Sequence, residues 1–240
     1  MEGIVSVQQG LSKSVLKLVA LGLPLLAVAC APSAGKPKPP PTGPFTVSDY
    51  FAASGDMGDG DGKPGSGSIA TYRDDATKCK ARPAGARGSC FAFDYVPGMN
   101  LFAGVYWQYP ANNWGDTPGL DVKFDEPGKV VTKVSFQAAI KDGTDTLQGD
   151  IGGINVDPPV ADPVTGVTPP VPAYKDQFHG TDTFSLTTDW QTFTLTIRKD
   201  PANPITTLLG AFAWYLKYPM GSDPTTLTPK TLYIDDLVYE

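Results

Sequence analysis

The chain has 240 residues, with 26 glycines, 24 prolines and only Glu2, Glu126 and Glu240 as glutamates. That density of helix breakers beside so little of a strong helix former excludes a helical bundle and favours short strands joined by turns. Nineteen Lys and Arg against 25 Asp and Glu leave a net charge of -6, which gives no drive toward a phosphate backbone and argues against nucleic-acid binding. His179 is the one histidine, so a multi-histidine metal centre is excluded and any Ser/His/Asp hydrolase would have to be built around that ring.

In chain order, residues 1–29 read as an export signal: Lys13 and Lys17 precede the apolar run Leu18 to Ala29, which is too short for a comfortable transmembrane helix. The ending Leu25-Leu26-Ala27-Val28-Ala29-Cys30 resembles the lipobox of bacterial lipoproteins, with Leu26 one place further from the cysteine than that pattern prefers. The resemblance implies cleavage before Cys30, acylation of Cys30 and a membrane lipid anchor. Cleavage after Ala29 by an ordinary signal peptidase is the rival. Residue 31 is Ala rather than Asp, which in Gram-negative lipoproteins implies onward transport to the outer membrane or cell surface. Residues 30–44 are Pro-rich (Ala31 to Pro44, APSAGKPKPPPTGP) and read as an extended, solvated tether.

Residues 45–240 form the domain. With Cys30 lipidated, Cys79 and Cys90 are an even pair outside the cytoplasm, most simply a disulfide closing a loop of about ten residues; two free buried thiols are the alternative. Strands are predicted at Phe45 to Phe51, Ser89 to Tyr95, Leu101 to Tyr109, Leu120 to Phe124, Val130 to Ile140, Phe184 to Leu186, Trp190 to Arg198, Leu208 to Tyr218 and Thr231 to Tyr239. Alternation is clearest in Val134, Phe136, Ala138 and Ile140, and again in Phe193, Leu195 and Ile197. Ser54 to Ser68 and Asn155 to Ala173 read as long loops, either functional or decorative.

The segment Thr188-Asp-Trp-Gln-Thr-Phe193-Thr-Leu, the strand around Phe212-Ala-Trp214 and the ending Thr231-Leu-Tyr-Ile-Asp-Asp-Leu-Val-Tyr239, in that order, resemble the C-terminal half of jelly-roll carbohydrate-binding modules with a galactose-binding-like fold. The resemblance covers roughly residues 45–240 and implies an all-β jelly-roll sandwich whose ligand is an oligo- or polysaccharide. It also implies a structural calcium ion (Ca2+) between the first and last strands, with Asp49 and Asp235 as ligands and Asp236 as the alternative. Two such carboxylates are equally the solvated edge of a strand. An EF-hand is rejected, because the twelfth position counted from Asp59 is Ala70, where a bidentate Glu is required.

The most aromatic window runs from Val105 to Gly115. Sugar recognition needs flat apolar rings for the C–H face of a pyranose and amides for its hydroxyls. Tyr106, Gln108, Asn112, Asn113 and Trp114 are the expected ligand-binding residues, while Trp107 and Tyr109 share the parity of Val105 and are expected in the core. A second expected surface carries Gln137, Thr194, Arg198, Tyr215 and Lys217, either as a groove or covered by another layer. Catalytic carboxylates are not apparent: glycoside hydrolysis needs two positioned carboxyl groups, and Glu126 lies in a turn while Glu240 is terminal. The expectation is therefore a monomeric, lipid-anchored protein that binds a glycan without chemistry. A polysaccharide-active enzyme with an Asp-based site, and a structural lipoprotein with a protein partner, are the alternatives.

Overall fold

The computed structural model describes residues 38–155, 166, 168 and 170–240. The expected signal peptide 1–29, the lipidated Cys30, tether residues 31–37 and much of the Pro-rich stretch 155–173 lie outside the described residues. Lys38–Glu240 is one unit. Its strands among the described residues are β1 (Phe45–Thr46), β2 (Ala52–Gly58), β3 (Ser68–Arg73), β4 (Phe91–Val96), β5 (Phe102–Gln108), β6 (Leu120–Asp121), β7 (Lys133–Ile140), β8 (Asp145–Ile151), β9 (Gly180–Leu186), β10 (Gln191–Thr196), β11 (Thr207–Leu208), β12 (Gly210–Lys217) and β13 (Lys230–Tyr239).

Two antiparallel sheets result. The first is ordered β10-β7-β13-β4-β3, with β1 paired to the end of β13; the second is β2-β5-β12-β8-β9; β6 and β11 form a short ladder of their own. Successive long strands cross between the sheets (β4 to β5, β7 to β8, β9 to β10, β12 to β13), so the expected all-β jelly-roll sandwich is what the chain forms. Phe93 and Phe136 from the first sheet interdigitate with Trp107, Phe212 and Trp214 from the second, all five fully buried. Ring centroids lie 4.9 Å apart for Phe93 and Trp214, 5.6 Å for Trp107 and Phe212, and 4.9 Å for Phe136 and Phe212. The predicted inward set Val134, Phe136, Ala138 and Ile140 is buried, as are Leu195 and Ile197.

Three strands were not expected. Ser54 to Gly58 belongs to β2 rather than to a loop, because an edge strand is held by backbone bonds to β5 and needs no apolar alternation. β3 pairs with β4 in the same edge position of the other sheet. In β8 the alternation is hidden by Gly149 between Leu147 and Ile151; a Cβ there would stand 3.1 Å from the Phe184 ring and 3.3 Å from that of Phe212. Residues 38–44, expected in the tether, lie in the same unit as the domain. Pro41 and Gly43 are buried, Thr42 bridges Lys123, and Lys38 pairs with Asp49 at 2.8 Å.

The outer face of the first sheet is covered in part, with Thr192, Thr194 and Thr196 on β10 left exposed. Trp190 Nε1 donates to the Ala81 carbonyl at 2.7 Å, holding the segment between β3 and β4 against that face, and Ala139 is buried. The expected second surface therefore does not exist as one face: Gln137 and Thr194 lie on the first sheet, Tyr215 and Lys217 on the second.

Candidate functional site

The outer face of the second sheet carries a small apolar cluster of its own, Tyr106, Ile154, Leu209 and Ala213 with Met57 and Tyr215 against it, separate from the inter-sheet core. Strand parity explains the separation. Tyr106 on β5 is flanked by the core residues Val105 and Trp107, and Tyr215 on β12 by Trp214 and Leu216, so both tyrosines project away from the core. The Tyr215 hydroxyl donates to that of Tyr106 at 3.1 Å, and the two rings are perpendicular with centroids 6.4 Å apart.

Trp114, on the loop after β5, meets the other side of Tyr106 edge to face at 5.9 Å and 88°, and 39% of it is exposed. The loop is fixed by the two amides expected to bind ligand. Gln108 is fully buried; its Nε2 donates to the Asn113 carbonyl at 3.1 Å and its Oε1 accepts from Ser54 Oγ at 3.2 Å. Ser54 sits at a β-bulge in β2, which turns its hydroxyl to Gln108 and lets it accept the Asn112 N–H at 2.9 Å. Asn113 donates to the Tyr109 and Thr117 carbonyls, each at 2.9 Å, and accepts the Gly115 and Thr117 N–H groups. The polar groups of Gln108 and Asn113 are thus engaged within the protein, and these residues position Trp114 rather than face a ligand. Asn112 is exposed, in the left-handed region at φ 62°. Tyr106, expected to be exposed, is 3% exposed and forms the floor.

Sequence reasoning missed the polar half of this face. Gln148 and Asp150 on β8 have the parity opposite to Leu147 and Ile151. Gln148 Nε2 lies 3.2 and 3.3 Å from the Asp150 carboxylate oxygens, Thr181 Oγ1 donates to Asp150 Oδ1 at 2.5 Å, and Lys217 Nζ donates to Gln148 Oε1 at 3.0 Å. Burial raises the phenol of Tyr106 well above its usual range, with the neighbouring Tyr215 and the carboxylates of Asp150 and Asp176 adding to the effect. Burial likewise pushes Tyr215 up to about 12. Both hydroxyls therefore remain protonated donors at neutral pH.

The exit of the Pro-rich stretch abuts the Trp114 loop. Tyr174, 42% exposed, donates its N–H to the Gly115 carbonyl at 3.0 Å. Gly115 has φ 106°, and a Cβ there would lie 2.4 Å from the Tyr174 oxygen, so the close approach requires glycine. Asp176 follows, nearly buried, with Oδ2 accepting the N–H groups of Leu209 and Gly210 and Oδ1 3.1 Å from His179 Nε2. His179 is thereby tied to a carboxylate that fastens the loop to β12.

The three aspartates expected to ligate calcium are each paired with a cation. Arg82 takes both carboxylate oxygens of Asp235 at 2.7 Å, Arg87 holds Asp236 at 2.8 Å, and Lys38 holds Asp49. This donor set does not fit a calcium ion, and among the described residues no group of three or more His, Cys, Asp or Glu side chains is disposed to hold a metal. Cys79 and Cys90 carry free thiols. Burial, and next a hydrogen bond to the Cys79 side chain, raise the Cys90 thiol far above its usual range.

No protein-family model matches the chain, and no curated protein matches it. Solved structures similar to it include one described as CBM4, at 19% identity over 76% of this chain and 92% of that one, with a TM-score of 0.35. The family 11 carbohydrate-binding module from Clostridium thermocellum, in complex with a beta-1,3-1,4-mixed-linked tetrasaccharide, matches at 13% identity over 78% and 96%, TM-score 0.34. The CBM22-2 xylan-binding domain from Paenibacillus barcinonensis Xyn10C matches at 10% identity over 82% and 97%, TM-score 0.38. TM-scores this low carry no argument about ligand, and the sandwich assigned to this chain rests on its own strand pairing.

Proposed function

We propose that the domain binds a glycan, without chemistry, on the outer face of the β2-β5-β12-β8-β9 sheet. One observation carries the reading: exposed Trp114, the tyrosine pair Tyr106 and Tyr215, and the polar set Gln148, Asp150 and Lys217 project from the same face. Rings of this kind accept the C–H face of a pyranose, and the exposed Lys217 and half-buried Gln148 lie beside them to meet its hydroxyls. Asp150, 3% exposed and already accepting from Gln148 and Thr181, holds Gln148 in place. The face carries Asp150 as its carboxylate, while Asp176 is committed to Leu209, Gly210 and His179, and Glu240 to Arg87 and Lys133. A binding role therefore fits better than hydrolysis, which needs two free carboxyl groups across a bond.

The same proposal places the protein outside the cytoplasm as a monomer, anchored through lipid on Cys30 at the bacterial outer membrane or cell surface, with Cys79 and Cys90 joined on export. The test is titration calorimetry against neutral and acidic polysaccharides, with a reducing-end assay on the same mixtures. Saturable binding without new reducing ends supports the reading. Release of product would favour the enzyme, and absence of binding to every glycan would overturn both.

A further inference from the structure

Asp235 is fully buried on the last strand, and a carboxylate removed from water needs a compensating cation. A bulge in β13 between Asp235 and Val238, with Asp236 in the left-handed region at φ 49°, turns consecutive aspartates toward the segment 80–89. Arg82 reaches across from that segment. Its Nε and Nη2 donate to the two oxygens of Asp235, each at 2.7 Å. Nη2 is also within 2.9 Å of the Gly88 carbonyl and 3.4 Å of those of Ala86 and Arg87. The guanidinium thus sits in a cage of five oxygens, two from a carboxylate and three from backbone carbonyls. This is the hard-oxygen chemistry that calcium takes, already filled by a planar fork that matches a carboxylate edge in two places.

We infer that Arg82 is the resident cation of this cage, supplying the charge a bound metal would bring and making the closure of the last strand independent of metal. Arg82, with Arg87 on Asp236 and Glu240 and Trp190 on Ala81, straps the loop across the first sheet's outer face. The strap covers part of that face, and Thr192, Thr194 and Thr196 on β10 stay exposed.

The experiment is thermal unfolding of the purified protein, wild type and variants, in chelator and in millimolar calcium. The wild-type midpoint is expected to be the same in both. Arg82→Gln, which strands a buried carboxylate, should lower it by about 10 °C, since breaking a buried pair from one side is among the costlier substitutions. Arg82→Lys, which keeps the charge but loses the fork, should fall between the two. The double variant Arg82→Gln with Asp235→Asn should recover most of the loss, because no charge is then left unpaired. A wild-type midpoint that drops in chelator overturns the inference. So does an Arg82→Gln variant within 2 °C of wild type, or a double variant no more stable than Arg82→Gln alone.

Discussion

Replacing Trp114 with Ala separates ligand binding from folding on this face. The exposed 39% of the side chain is the part a sugar can cover, about 100 Å2 of a ring system of about 250 Å2. At about 25 cal/mol per Å2 that coverage contributes about 2.5 kcal/mol, or about 60-fold in Kd. The edge-to-face contact with Tyr106 is lost as well, at about 0.5–1.5 kcal/mol beyond the apolar area the ring buries, so for a domain of this size Tm falls by at least about 2–5 °C. Trp107→Ala is the contrasting control: Trp107 is fully buried, and its truncation should cost about 3–5 kcal/mol. Calorimetric titration with the best glycan and a melting curve on the same preparation read both quantities. Unchanged affinity in a folded Trp114→Ala protein would refute the assignment of this face. A loss of stability as large as that of Trp107→Ala would return Trp114 to the core.

The remaining predictions concern pH, export and redox state. Tyr215 titrates near 12 in the folded protein and near 10 when unfolded, so between pH 10 and 12 the unfolded chain releases a proton the folded one keeps, and stability falls as pH rises through that window. Tyr215→Phe should make that decline shallower in pH-dependent unfolding, and an unchanged slope would show that the hydroxyl is not buried. Cys30→Ser should move the protein from the membrane fraction to the soluble one, because the Pro-rich tether has nothing to insert; unchanged partitioning counts against the anchor. Mass spectrometry of non-reduced, exported protein should find Cys79 cross-linked to Cys90, closing a loop worth about 2–3 kcal/mol on the loop-entropy model. Both residues alkylated as free thiols would refute the bridge.

The fold was legible where a strand has one buried face and one open face. Val134 to Ile140 and Phe193 to Ile197 show period two because each packs one side on the opposite sheet. It was not legible in β2 or β8, where Gly55 gives way to the Gln108 side chain and Gly149 to the Phe184 and Phe212 rings. A glycine that makes room for a neighbour reads, in one dimension, as a turn. The cost at the site was specific, since losing β8 hid Gln148 and Asp150, the polar partners of an aromatic patch otherwise found from its composition.

The two misreadings of polar residues share one physical cause. Gln108 and Asn113 have the chemistry that binds sugar hydroxyls, and Asp235 and Asp236 the chemistry that binds calcium. A buried polar group, however, is defined by the partner that satisfies it. For the amides the partners are backbone groups within a few residues and the hydroxyl of Ser54, 54 positions away in the chain from Gln108. For Asp235 the partner is Arg82, 153 positions away. Composition demands that a buried carboxylate be neutralised but does not say by what, and an arginine far off in sequence competes for it on equal terms with an ion from solution. Trp114, expected as a ligand-binding residue, is exposed in the structure, and its exposure was legible for the complementary reason: an aromatic ring left partly in water has unmet apolar surface, and that deficit needs no distant partner to be recognised.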